Sequence, residues 1–71
     1  MDRKELLEQE IRDLTAKLTD STSDIGDWKY IKSFEYTRAG KEIPYDLDEL
    51  DKQRQAVRDR INEIKEELKT L

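Results

Sequence analysis

Seventy-one residues, 45% charged and only 34% hydrophobic, make one small domain at most (1–71), near the limit of what can bury a core. With no His and no Cys the chain has no imidazole base, no thiolate and no disulfide, so zinc-type sites and nucleophilic catalysis are not expected. A formal net charge of −4 argues against bulk nucleic-acid binding, and no apolar run approaches the roughly 20 residues of a membrane span.

The first element is expected over residues 2–20. Asp2 is placed to cap it, with Glu5 three residues on in the capping-box position. Leu7, Ile11, Leu14 and Leu18 then recur at 4-3-4 spacing, with Leu6 widening the stripe. Glu8 and Arg12, and Asp13 and Lys17, stand four apart with the acid first, the favourable order on a helix. The polar run from Thr19 to Asp24 ends the pattern. Ser23 is the expected cap of the next helix, because Asp24 and Asp27 would then lie near its positive end.

The middle segment, about residues 24–39, reads two ways. As a helix, Ile25, Trp28, Ile31 and Phe34 form one apolar face, and Gly40 sits where a helix ends. As a strand, Trp28, Tyr30, Lys32, Phe34 and Tyr36 alternate, with a turn at 38–41 leading into Glu42–Tyr45. Lys32 in the middle of that strand face and Pro44 in the return strand favour the helix.

A final helix is expected over 46–70, capped by Asp46 with Glu49 in the box position. Leu50, Arg54, Val57, Ile61, Ile64, Leu68 and Leu71 alternate four and three apart, a heptad seam with one polar member. At 1.5 Å per residue this helix reaches about 37 Å and the first about 28 Å, so neither covers the other's whole seam. For chains this small, hydrophobic gain and ordering entropy nearly cancel, and oligomerisation is the remedy left. The fold class is therefore an all-α three-helix protein, expected to self-associate through Arg54, Val57, Ile61, Ile64 and Leu68. Arg54 reads either as an arginine reaching solvent over its stem or as a register device paired with a carboxylate.

Residues Trp28 to Arg38 concentrate four of the five aromatics among three bases and one acid. Trp28, Lys29, Tyr30, Lys32, Tyr36 and Arg38 are the candidate binding residues, facing a protein partner or, in a second reading, a nucleotide. A blander reading buries Trp28, Ile31 and Phe34 between the long helices. The acids Asp46, Asp48, Glu49 and Asp51 read as helix-start residues and not as a catalytic pair or metal site. No cofactor is implied.

Ser23-Asp24-Ile25-Gly26-Asp27-Trp28-Lys29, Glu35-Tyr36, Gly40, Pro44-Tyr45-Asp46 and the Arg54-Gln55, Arg58-Asp59, Ile61-Asn62 run form a pattern beyond heptads. It covers somewhat over half the chain and resembles short uncharacterised helical proteins of phage and prophage gene sets. That resemblance implies a phage-like setting and a helical middle segment, and it carries no activity. The opening Met-Asp-Arg-Lys-Glu has no apolar stretch behind it, so a cytoplasmic protein is expected, in the bacterial host if phage-encoded. The functional expectation is a non-enzymatic interaction or assembly module, such as an inhibitor of a host defence protein. The alternative is an oligomeric sponge that sequesters a nucleotide.

Overall fold

The computed structural model describes residues 2–71. Three helices follow in order: α1 (Arg3–Thr19), α2 (Trp28–Arg38) and α3 (Leu47–Lys69). No strand occurs among the described residues, so the helical reading of the middle segment holds and the hairpin reading falls.

Both anticipated aspartate caps form. The Asp2 carboxylate accepts from the Glu5 amide at 2.8 Å, and the Asp46 carboxylate from the Glu49 amide at 3.1 Å. Each satisfies an amide that the first helical turn leaves without a partner. The expected acid–base pairs along α1 are rearranged: Arg12 donates to Gln9, and Gln9 donates to Asp13.

The antiparallel packing of α1 along α3 makes the core. Leu7, Leu50, Ile61 and Ile64 are buried there, Ile64 completely at 0% exposure. Arg60 forks onto the Glu10 carboxylate at 3.1 and 3.0 Å, and Arg3 bonds Glu67 near the open end. The seam expected to meet a second copy is thus used inside the chain: Ile61 and Ile64 are buried, and Val57 and Leu68 are half-buried.

α3 outruns α1, with 23 residues against 17, yet its overhanging first turns are not bare. Leu50 is buried, and Tyr30 reaches across from α2 to donate to Asp51. The long axis of the molecule, 51 Å, exceeds the roughly 35 Å that α3 spans at 1.5 Å per residue.

The α1–α2 connection differs from expectation. α2 begins at Trp28, not near Asp24, and Ser23 does not cap it. The Ser23 hydroxyl instead donates to the Lys17 carbonyl at 2.6 Å, and the Asp27 amide donates to the Leu18 carbonyl at 2.8 Å. The loop therefore folds back and closes the end of α1. Gly26 sits in the tightest part of it: a Cβ there would lie 2.4 Å from the Asp20 carbonyl oxygen and 2.9 Å from the Trp28 ring. α2 ends as anticipated at Gly40, whose φ of 71° is the left-handed conformation glycine adopts freely. The Lys41 amide returns to the Tyr36 carbonyl at 2.9 Å and the Gly40 amide to that of Thr37 at 3.1 Å, the paired bonds of a Schellman end.

Candidate functional site

The site region is α2 and the two connections that hold it. Its anchor is Arg54, whose guanidinium Nη1 donates to the carbonyls of Leu18 (3.1 Å) and Ile25 (2.8 Å). Nη2 donates to the Asp27 carboxylate at 2.5 Å, and the guanidinium carbon lies 5.0 Å from the centre of the Tyr30 ring. One side chain from α3 thus holds the end of α1, the connecting loop and the start of α2. Arg54 is 8% exposed, so the reading in which it reaches solvent is overturned. The paired-carboxylate reading stands, with the carboxylate supplied by the same chain.

Four of the six candidate residues point toward the scaffold to some degree. The Trp28 indole N–H donates to the Ser23 carbonyl at 2.6 Å, and the ring meets Tyr45 edge to face, centroids 5.9 Å apart. Lys29 places its ammonium 5.6 Å from the Trp28 ring and 5.4 Å from that of Tyr45, both within cation–π reach. Tyr30 is held by Asp51 and Arg54, and the bond to Asp51 is the main reason its phenol ionises above the ordinary range. Tyr36 is half-buried. Lys32 and Arg38 are exposed, with Lys32 paired to Glu35 on its own helix at 3.5 Å.

The six residues consequently do not form one surface. Lys29 lines a shallow hollow of about 270 Å³ with Tyr45, Asp46, Glu49, Leu50 and Gln53, where two carboxylates oppose one ammonium. Lys32 and Tyr36 line a second hollow of about 230 Å³ with Glu35, Ala39 and Lys41. Arg38 lies on the outer side of the helix.

That outer side carries what the sequence reading misplaced. Ile31 and Phe34, assigned either to a common apolar face with Trp28 or to the gap between the long helices, are 61% and 66% exposed. The buried side of α2 is marked by Ser33, whose hydroxyl donates to the Lys29 carbonyl. Ser33 lies about half a helical turn from Ile31 (two residues at roughly 100° each), so the spacing itself sets the two on opposite sides. Trp28 is turned aside by Tyr45, a residue the aromatic count of 28–38 did not include. No group of His, Cys, Asp or Glu suited to a metal ion occurs among the described residues, and no described helix is long and apolar enough to cross a membrane.

No family model matches the sequence, and neither the curated proteins nor the solved structures yield a significant match. The site is therefore read from its own chemistry.

Proposed function

We propose that this chain is a non-enzymatic protein-interaction module whose recognition surface is the outer side of α2. The observation that carries the reading is the exposure of Ile31 and Phe34 on a helix otherwise fastened to the scaffold. Large apolar side chains displayed in register, one helical turn apart, suit a partner's apolar groove. Lys32, Glu35 and Arg38 supply the charged rim that such contacts use for orientation. In the phage-like setting implied by the resemblance, the module serves as an assembly component or blocks a host defence protein. The test is Phe34→Lys: helicity and melting at low protein concentration stay close to those of the natural chain, while capture of a protein partner from host lysate is lost. Unchanged capture would remove α2 from the reading.

The hollow beside Tyr36 favours a second reading, an oligomeric sponge for a nucleotide. Lys32 and Lys41 supply two ammonium groups for phosphate, and Tyr36 an aromatic wall for a base. At about 230 Å³ the hollow accommodates part of a nucleotide, so an adjoining copy would complete it. A ligand-dependent rise in melting temperature across a nucleotide panel supports the sponge, and a flat response eliminates it.

A further inference from the structure

The outer stripe of α2 is longer than its two apolar members. Asp27, Ile31, Phe34 and Arg38 stand four, three and four residues apart, which places all four on one side of the helix at coiled-coil spacing. Read from either end, the stripe has the form charge, apolar, apolar, charge, with the acid at the amino end and the base at the carboxyl end. Such a stripe is complementary to itself when a second copy runs antiparallel. In that arrangement residues whose numbers sum to the same total face each other. Setting Ile31 against the second copy's Phe34 brings Arg38 opposite the second copy's Asp27, and the two-fold repeats both contacts. Each end of the pair then also joins the positive start of one helix to the negative end of the other.

We infer that the occupant of the α2 face is a second copy of this chain, paired antiparallel through Ile31 and Phe34 with Asp27 and Arg38 closing the ends. The inference rests on the reading of α2 as an interaction surface and names the partner.

Three observations make a second copy the fitting occupant. Ile31 and Phe34 are exposed on each chain, so the contact buries the same pair twice. The Asp27 side chain remains 52% exposed while one of its oxygens holds Arg54, which leaves carboxylate surface for a second guanidinium. Arg38 is exposed and the Schellman end holds the last turn that carries it in place. The expected seam on α3 cannot serve the same purpose, since Ile61 and Ile64 are covered by α1. An 11-residue helix pair buries less than the ~800 Å² per partner of a standard interface, so the association is weak, micromolar or above.

The absence of native cysteine makes the geometry directly testable. Ile31→Cys and Phe34→Cys chains are prepared separately, then oxidised alone and as an equimolar mixture at high concentration. Antiparallel pairing predicts the mixed 31–34 disulfide well above the statistical ratio of two to one over either homodisulfide, and the statistical ratio itself would overturn the inference. A parallel in-register pair would yield the homodisulfides instead, and that result overturns the inference. Sedimentation of the cysteine-free chain supplies the second readout: a species of twice 8.5 kDa accumulates with concentration, and Arg38→Glu weakens it by about tenfold or more through like charges at both ends. A natural chain that stays at 8.5 kDa from ~10 µM to 1 mM, a range set by the size of the contact, overturns the pairing. The broader reading fails separately, when Phe34→Lys leaves partner capture unchanged.

Discussion

Arg54 of α3 and Asp27, the residue before α2, meet at 2.5 Å, and that contact fixes where the middle helix stands. The guanidinium has two further acceptors in the Leu18 and Ile25 carbonyls. The first is one of the carbonyls that α1 leaves unpaired at its end, where a cation is also favoured by the helix dipole. Arg54 therefore does the work of a helix cap from a different helix.

Replacing Arg54 by Met keeps the stem volume and removes every donor. The Ile25 carbonyl and the Asp27 carboxylate lose Arg54, while the Leu18 carbonyl keeps the Asp27 amide, a cost of about 2–3 kcal/mol, given that the Asp27 side chain is already half in water. Asp27→Asn retains a hydrogen-bond acceptor and loses only the charge, so about 1 kcal/mol is expected. Urea unfolding followed by helical circular dichroism measures both, and equal midpoints for the two variants would contradict the ranking.

The two glycines fail for different reasons. Gly26→Ala pushes a methyl group into the Asp20 carbonyl and the Trp28 ring, and overpacking of this kind costs about 1–3 kcal/mol. At Gly40 nothing lies within 4 Å of the added carbon, and the cost is the left-handed backbone, about 1–2 kcal/mol. Gly40→Asn should recover part of that loss, because asparagine tolerates this conformation. Gly26→Asn should recover nothing. Thermal melts of the four variants separate steric from conformational strain.

Tyr30 makes an alkaline prediction. Its hydrogen bond to Asp51 and the carboxylate's charge favour the protonated phenol, so the folded state binds that proton more tightly than the unfolded state. The linked stability is fully present below the ordinary tyrosine value of 10.0 and is lost as pH rises through the higher folded value. Absorbance titration near 295 nm, a tyrosinate band, should show an ionisation step above the ordinary tyrosine range that Tyr30→Phe removes.

Trp28 and Phe34 should differ sharply in what their substitution costs, although both are aromatics of α2. Trp28→Ala loses an edge-to-face contact with Tyr45, the bond to the Ser23 carbonyl and a cation–π neighbour, together about 2–3 kcal/mol. Phe34→Lys changes a side chain already two-thirds exposed and should alter monomer stability by no more than about 0.5 kcal/mol. Chemical denaturation at low protein concentration makes the comparison.

Most of the scaffold was legible in the residues. Asp2 and Asp46 mark both long helices, the 4-3-4 spacing of Leu7 to Leu18 and of Leu50 to Leu68 marks their contact, and Gly40 marks the end of α2. The start of α2 was not legible. Ser23 was the expected cap, with Asp24 and Asp27 only as acids near the helix start, yet α2 starts after Asp27, which is held by Arg54 from 27 positions further along the chain. Periodicity grouped Trp28 with Ile31 and Phe34, but it could not show that Tyr45 would return from the following linker and claim the indole. With Trp28 removed, the remaining pair is the outside of the helix. The Gly-Asp-Trp and Pro-Tyr-Asp runs were visible as a pattern without a purpose. Their purpose is local: Gly26 permits the close turn, Asp27 meets Arg54, Trp28 meets Tyr45, and Asp46 caps α3.

The central claim is that α2 is fastened on one side and displayed on the other for a second copy. Its most direct test is the concentration dependence of melting, since association with the folded chain raises the melting temperature by mass action. The natural chain should melt progressively higher as concentration increases, while Phe34→Lys should melt at one temperature throughout and match the natural chain at the dilute limit. Parallel curves for the two proteins at every concentration would contradict it.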